Sequence, residues 1–148
     1  MTDTAMWRKY LSLLESLGGV LEELTGMEQE KTKAVSQGDL PAVEELMKRE
    51  QVISLSLRGL EQRRERMLRE MELAGVPLRE LAGHAPEELY QETKDAAETL
   101  RQKYDVFQAA SEVARHTLEC NLRAIEKMQK AQDAPPEESQ PHQADFRV

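Results

Sequence analysis

Ala34-Val35-Ser36-Gln37-Gly38-Asp39-Leu40-Pro41-Ala42-Val43-Glu44-Glu45 is the stretch whose reading decides the fold. Gly38 suits the position just past a helix C-terminus, Asp39 suits the N-cap of a new helix, and Pro41 falls in its first turn. Glu44 and Glu45 follow where the helix dipole favours negative charge. One helix stops here and another starts with almost no loop between them, so the two fold back antiparallel. Outward from this turn the apolar residues keep a coiled-coil rhythm. Trp7, Tyr10, Leu14, Leu17, Leu21 and Leu24 precede it at alternating steps of three and four. Val43, Leu46, Ile53, Leu57, Leu60, Met67, Met71 and Ala74 follow it, interrupted by Glu50 and Arg64. The rhythm passes unshifted through Gly18-Gly19, Gly26 and Gly59, which mark close packing or bending rather than helix ends.

Gly75-Val76-Pro77 ends the second periodic stretch, and Gly83-His84-Ala85-Pro86 precedes a third. That third stretch carries Ala96, Leu100, Tyr104, Phe107, Ser111, Ala114, Leu118, Asn121, Ile125 and Met128, with a slight stutter around Leu100. The pattern predicts helices over about 4–37, 40–74 and 86–131, with a short extra turn at 77–83. The expected fold is all-α: an antiparallel three-helix bundle, or a long helical hairpin plus a longer C-terminal helix, with coiled-coil-like packing. Residues 1–131 form a single helical domain in this reading. Residues 132–148 hold three of the six prolines and read as a flexible acidic tail.

Composition agrees. Ala, Glu, Lys, Leu and Arg supply about half of the 148 residues, the mark of long helices. Aromatics are only 4%, leaving a β-sandwich or barrel little to be built from. A net charge of −8 argues against nucleic acid and anionic membranes as partners. No run approaches 18 apolar residues, so membrane insertion is not expected. The polar segment Met1–Tyr10 lacks a signal-peptide core, and the lone Cys120 has no internal disulfide partner. The expectation is a cytoplasmic protein.

Helix length adds a sharper point. Two helices of about 33 residues span roughly 50 Å, whereas a third of about 45 residues spans roughly 68 Å. The third therefore outruns the hairpin from near Asn121, yet Leu122, Ala124, Ile125 and Met128 continue its apolar stripe. Such a stripe is expected to bury itself in something else, whether a partner, a second copy or a bent first helix. Four or five buried Leu, Ile or Met side chains supply on the order of 6–12 kcal/mol before ordering and association costs. Micromolar binding, about 8 kcal/mol, is within reach once flanking contacts are added.

No residue pattern supports a reaction. The chain lacks a phosphate loop, a metalloprotease helix motif, a paired-cysteine motif and a nucleophile elbow, so an enzyme is not expected. Glu112, His116, Glu119 and Cys120 share a helical face, but di-iron bundles require a Glu-x-x-His pattern on two helices, which is missing. No metal or cofactor is expected. The arginines at 58, 63, 64, 66 and 69 interleave with Glu61, Glu65, Glu70 and Glu72 and read as a solvated ion-pair face. Without aromatic platforms, that stretch is not a nucleic-acid groove.

The hairpin reads Ala34-x3-Gly38-Asp39-Leu40-x2-Val43-x2-Leu46-x3-Glu50, then Leu60-Glu61-x2-Arg64-x2-Met67-Leu68. This resembles the FlgN-type flagellar export chaperones in the turn, the Leu-Glu-x-x-Arg segment, the Gly-Val-Pro loop and the long final helix, over roughly residues 5–130. It departs from their pattern at Arg115–Leu122, where an Asn-Arg-Leu-Leu-like stretch is common in the family. The resemblance implies a cytosolic chaperone that binds the helical C-terminal segments of hook-associated proteins, prevents their premature assembly and delivers them to export-gate components. Under that implication Val113, Leu118, Leu122, Ile125 and Met128 are the client-binding residues, supported by Tyr104 and Phe107 as the hinge between core and contact region. The alternative is a structural coiled-coil adaptor that homodimerises through its C-terminal helix; a weak homodimer also fits the chaperone reading.

Overall fold

The computed structural model describes residues 4–133, with the side chains at 125, 128, 129, 132 and 133 outside that description. The expected tail beyond 133 therefore lies outside the described residues. Three helices, α1 (Thr4–Ser36), α2 (Leu40–Glu70) and α3 (Tyr90–Asp133), form an all-α bundle. Two short 3-10 segments, Leu78–His84 and Glu87–Leu89, link α2 to α3, and no strand occurs among the described residues.

The Gly38-Asp39 turn works through two complementary caps. Gly38, at φ +71°, closes α1 with a Schellman pair: its N–H donates to the Val35 carbonyl at 3.1 Å, and that of Asp39 to Ala34 at 2.9 Å. Asp39 then caps α2, its carboxylate accepting from the Ala42 N–H at 3.2 Å. α2 ends by the same device, four residues before its apolar rhythm runs out at Ala74. Glu72 adopts φ +60°, its N–H donating to Arg69 at 3.0 Å while that of Leu73 donates to Leu68 at 2.8 Å. A side chain at this left-handed position costs about 1 kcal/mol that glycine would avoid.

α1 is the central element. It buries residues along its whole length, from Trp7 to Val35, whereas α2 buries only Val43 and Leu46 near one end and Met67 and Leu68 near the other. α1 packs against both α2 and α3, and these two approach each other far less closely. The main core gathers Trp7, Tyr10, Leu14, Leu17 and Leu21 with Met67, Leu68, Met71 and Leu100. The Trp7 and Tyr10 rings meet edge to face, centroids 6.2 Å apart. Leu81 and Leu89 from the 3-10 segments are fully buried and plug this end of the bundle. A second cluster of Ala34, Val35, Val43 and Leu46 sits behind the Gly38 turn.

Polar layers occupy the two interruptions of the α2 rhythm. Glu50 enters a half-buried triad in which Lys31 Nζ lies 3.1 Å from Glu28 and 3.0 Å from Glu50. Burial and the neighbouring Glu28 carboxyl push the Glu50 pKa up against the pull of Lys31. Burial tends to lower the Lys31 pKa, but the two carboxylates outweigh it and hold that value above the lysine norm. Arg64 points inward beside the buried Tyr10 hydroxyl and pairs with Glu61 at 3.6 Å. Glu61 in turn accepts a hydrogen bond from the Tyr104 hydroxyl of α3.

Gly38→Ala should lower and Glu72→Gly should raise thermal stability, each by about 1 kcal/mol or roughly 2–4 °C in melting temperature. For Glu50 the folded pKa lies above the unfolded one. The stability from its protonated form is present below about pH 4.5 and is lost as pH rises through the folded value. Glu50→Gln should match the parent at pH 4 and exceed it at pH 7 in melts across that range. Lys31→Met, which leaves two carboxylates facing each other, should cost about 2–3 kcal/mol at pH 7 and less at pH 4.

Candidate functional site

The candidate site lies on α3, whose register is set by its parallel course beside α1. Thr4 donates to Glu88, 84 positions on, and Leu118 packs against the Ala34–Val35 cluster at the other end of α1. Between them Lys103 crosses α1 over Gly18, where a Cβ would come within 3.1 Å of its side chain, and pairs with Glu22. On that offset the end of α1 is level with about residue 120. With 44 residues in α3 against 33 in α1 and 31 in α2, α3 runs on for about 13 residues, or about 20 Å.

The sequence-predicted residues divide into three groups. Tyr104 and Phe107 are half-buried and pack against the main core. Leu118 is half-buried and packs against the cluster at the hairpin turn, so it joins bundle to extension. Leu122, one turn further, is 48% exposed. Val113 is 56% exposed but stands about 140° round the helix from Leu118, so it does not share a face with Leu118 and Leu122. Ile125 and Met128 belong to α3, and their side chains lie outside the described residues.

The remaining polar candidates do not converge on a reactive centre. Cys120 Sγ lies 3.6 Å from His116 Nε2 on an exposed face. Among the described residues no group of three or more His, Cys, Asp or Glu side chains could hold a metal ion. The arginine-rich segment of α2 departs from a uniformly solvated face, because Arg64 turns into the bundle and the other four arginines stay exposed. Four exposed large apolar residues of α2, Leu40, Met47, Val52 and Leu55, lie off the coiled-coil rhythm.

Such an arrangement offers a partner the face of a helix rather than a cavity, within an all-helical bundle. The FlgN protein family model matches residues 6–137, and the chain belongs to that family. The family is one of flagellar export chaperones that bind flagellar proteins, not a family of enzymes. No curated protein and no solved structure matches the chain. Among the described residues no helix is long and apolar enough to cross a membrane.

The division between Leu118 and Leu122 has a stability signature. Leu118→Glu places a charge against the Val35–Leu46 cluster and should cost about 1–3 kcal/mol. Leu122→Glu, on the exposed extension, should stay within about 0.5 kcal/mol of the parent. Thermal or urea melts of the two variants check both values.

Proposed function

We propose that the protein is a cytoplasmic flagellar type III export chaperone whose clients are hook-associated proteins. It binds their helical C-terminal segments, keeps them from assembling early and hands them to export-gate components. The observation that carries this reading is the α3 extension, which leaves the hairpin behind at Leu118 and presents Leu122 to solvent. An amphipathic client helix laid along Leu118, Leu122, Ile125 and Met128 completes in trans the packing that α1 and α2 supply to the rest of α3. Val113, on another face, stands outside this contact, and Tyr104 and Phe107 anchor the helix from the bundle side. Burying the client's apolar stripe suppresses its self-association, and a contact of this size is weak enough to be surrendered at the export gate. The action is binding and release; neither nucleic acid nor membrane insertion has a part in it.

Leu122→Glu and Ile125→Glu should abolish co-purification with hook-associated proteins while leaving helicity and melting temperature unchanged. Retained binding in both variants overturns the site. Light scattering separates this reading from the adaptor reading. The chaperone alone is monomeric or weakly dimeric and forms a heterocomplex with its client, whereas an adaptor is a concentration-independent dimer that ignores hook-associated proteins.

A further inference from the structure

The interleaved Arg–Glu segment of α2 reads in sequence as a face that neutralises itself, and the structure divides it differently. Glu61 pairs with the inward-turned Arg64. Arg63 and Arg66 stay exposed, and among the described residues neither has an ion-pair partner. With Met67 and Glu70 they keep the i, i+3, i+4 and i+7 spacing of one helix face. The antiparallel hairpin brings that face alongside the first turns of α1, where Ala5, Met6 and Lys9 join it in lining one shallow depression. Lys9 is likewise exposed and, among the described residues, without an ion-pair partner.

The floor of the depression is apolar, because Met67 is buried and Met6 packs against the main core. Its charged lining is three cations, Lys9, Arg63 and Arg66, against the single carboxylate of Glu70. That local excess is opposite in sign to the whole chain, whose net charge is −8. Exposed charges act over a Debye length of about 8 Å at physiological ionic strength, so a short anionic segment at the depression responds to these groups before the distant acids. An anionic bilayer meets the whole molecule instead. The two guanidinium groups offer planar donor forks that match carboxylates. A bare inorganic anion would leave the methionine floor unused, whereas a peptide can set an apolar side chain on it. The acidic side chains of residues 134–148 in the same copy do not reach. α3 runs parallel to α1, which puts its end about 60 Å along the bundle from Lys9. Asp145, the last of those acids, extends at most about 43 Å from that end.

We propose that this depression is a docking surface for an acidic segment of a partner protein. The segment sets an apolar side chain on Met6 and Met67 and its carboxylates on Lys9, Arg63 and Arg66. On the parallel register of α1 and α3 the surface lies about 45 Å along the bundle from Leu122. It therefore goes beyond the chaperone reading and does not depend on it: a client held on the α3 extension leaves it open.

The test follows binding of the full-length protein to a labelled synthetic peptide in which glutamates flank leucine, by fluorescence anisotropy. The parent should bind this peptide, and binding should weaken with added salt. Lys9→Glu/Arg66→Glu should weaken it at least about tenfold, whereas Arg58→Glu/Arg69→Glu should stay within about twofold. The second pair makes the same change of sign at exposed positions about 110° or more round α2 from this face, so it separates the depression from general attraction. Melting should be unchanged in both variants, because all four side chains are exposed. Exchanging the leucines of the peptide for serine should weaken binding at least about threefold. No peptide binding by the parent, equal loss in the two double variants, or an unchanged affinity for the serine peptide overturns the inference. So does inorganic phosphate that displaces the peptide at an ionic strength where chloride does not, by assigning the cations to a bare anion. Phosphatidylglycerol vesicles that bind the parent more tightly than the peptide, with the same loss in Lys9→Glu/Arg66→Glu, assign them to a membrane and overturn it too. A mass that doubles with concentration and returns to monomer in that variant assigns the surface to a second copy of this chain. A hook-associated C-terminal segment that binds the parent should bind this variant equally; loss there overturns the inference by making the depression part of the client surface.

Discussion

The two-sided burial of α1 is the constraint on which the rest of the structure depends. Its apolar ridge, from Trp7 through Leu24 to Val35, is too wide for a single neighbour and is shared between α2 and α3. Each outer helix then needs only a narrow stripe of its own, which is why α2 remains charged and open through its middle. The same division explains how α3 can be longer than the rest. Its register is set along α1, through Gly18, Lys103 and the cluster at Val35, and α2 adds contacts at Glu61 and at Val43 and Leu46 but none beyond the hairpin turn to match its end.

An apolar ridge specifies burial better than it specifies alignment, because leucines repeating every three or four residues can slide by a heptad with little loss. The two polar layers supply the missing alignment. Lys31 must stand opposite Glu50, and Arg64 opposite Tyr10, or a buried charge loses its partner. Burial alone would pull the Arg64 pKa down, yet Tyr10 and Glu61 beside it hold the guanidinium firmly charged. The layers sit on either side of the middle of the hairpin and fix how α2 lies on α1.

Much of this was legible in the chain because it is local. Gly38 and Asp39 act through hydrogen bonds to residues within a few positions, and the α1 seam of Trp7, Tyr10, Leu14, Leu17, Leu21 and Leu24 is buried throughout. The direction of Arg64 was not legible: an arginine among glutamates reads as solvated until Tyr10, 54 residues away in the chain, is brought beside it. The end of α2 at Glu70 was equally hidden, since no glycine marks the left-handed position that Glu72 occupies. For the candidate site, periodicity supplied the α3 stripe but not its angular spread. Val113 looked continuous with Leu118 in a one-dimensional reading and is not continuous on the cylinder. The exposed Leu40, Met47, Val52 and Leu55 of α2 stand outside the seam rhythm, which accounts only for residues that face inward.

The α3 extension also has a thermodynamic character of its own. A free peptide of that length has to nucleate a helix before propagating it, at an equilibrium penalty of about a thousandfold. A segment that issues from a packed bundle inherits its nucleus from the turns below and has only to propagate. On the proposed reading it would act as a cantilevered template. A chain bound there in the proposed way would find one side of the contact already ordered, so the entropic cost would fall mainly on the visitor and separation would require no unfolding of the host.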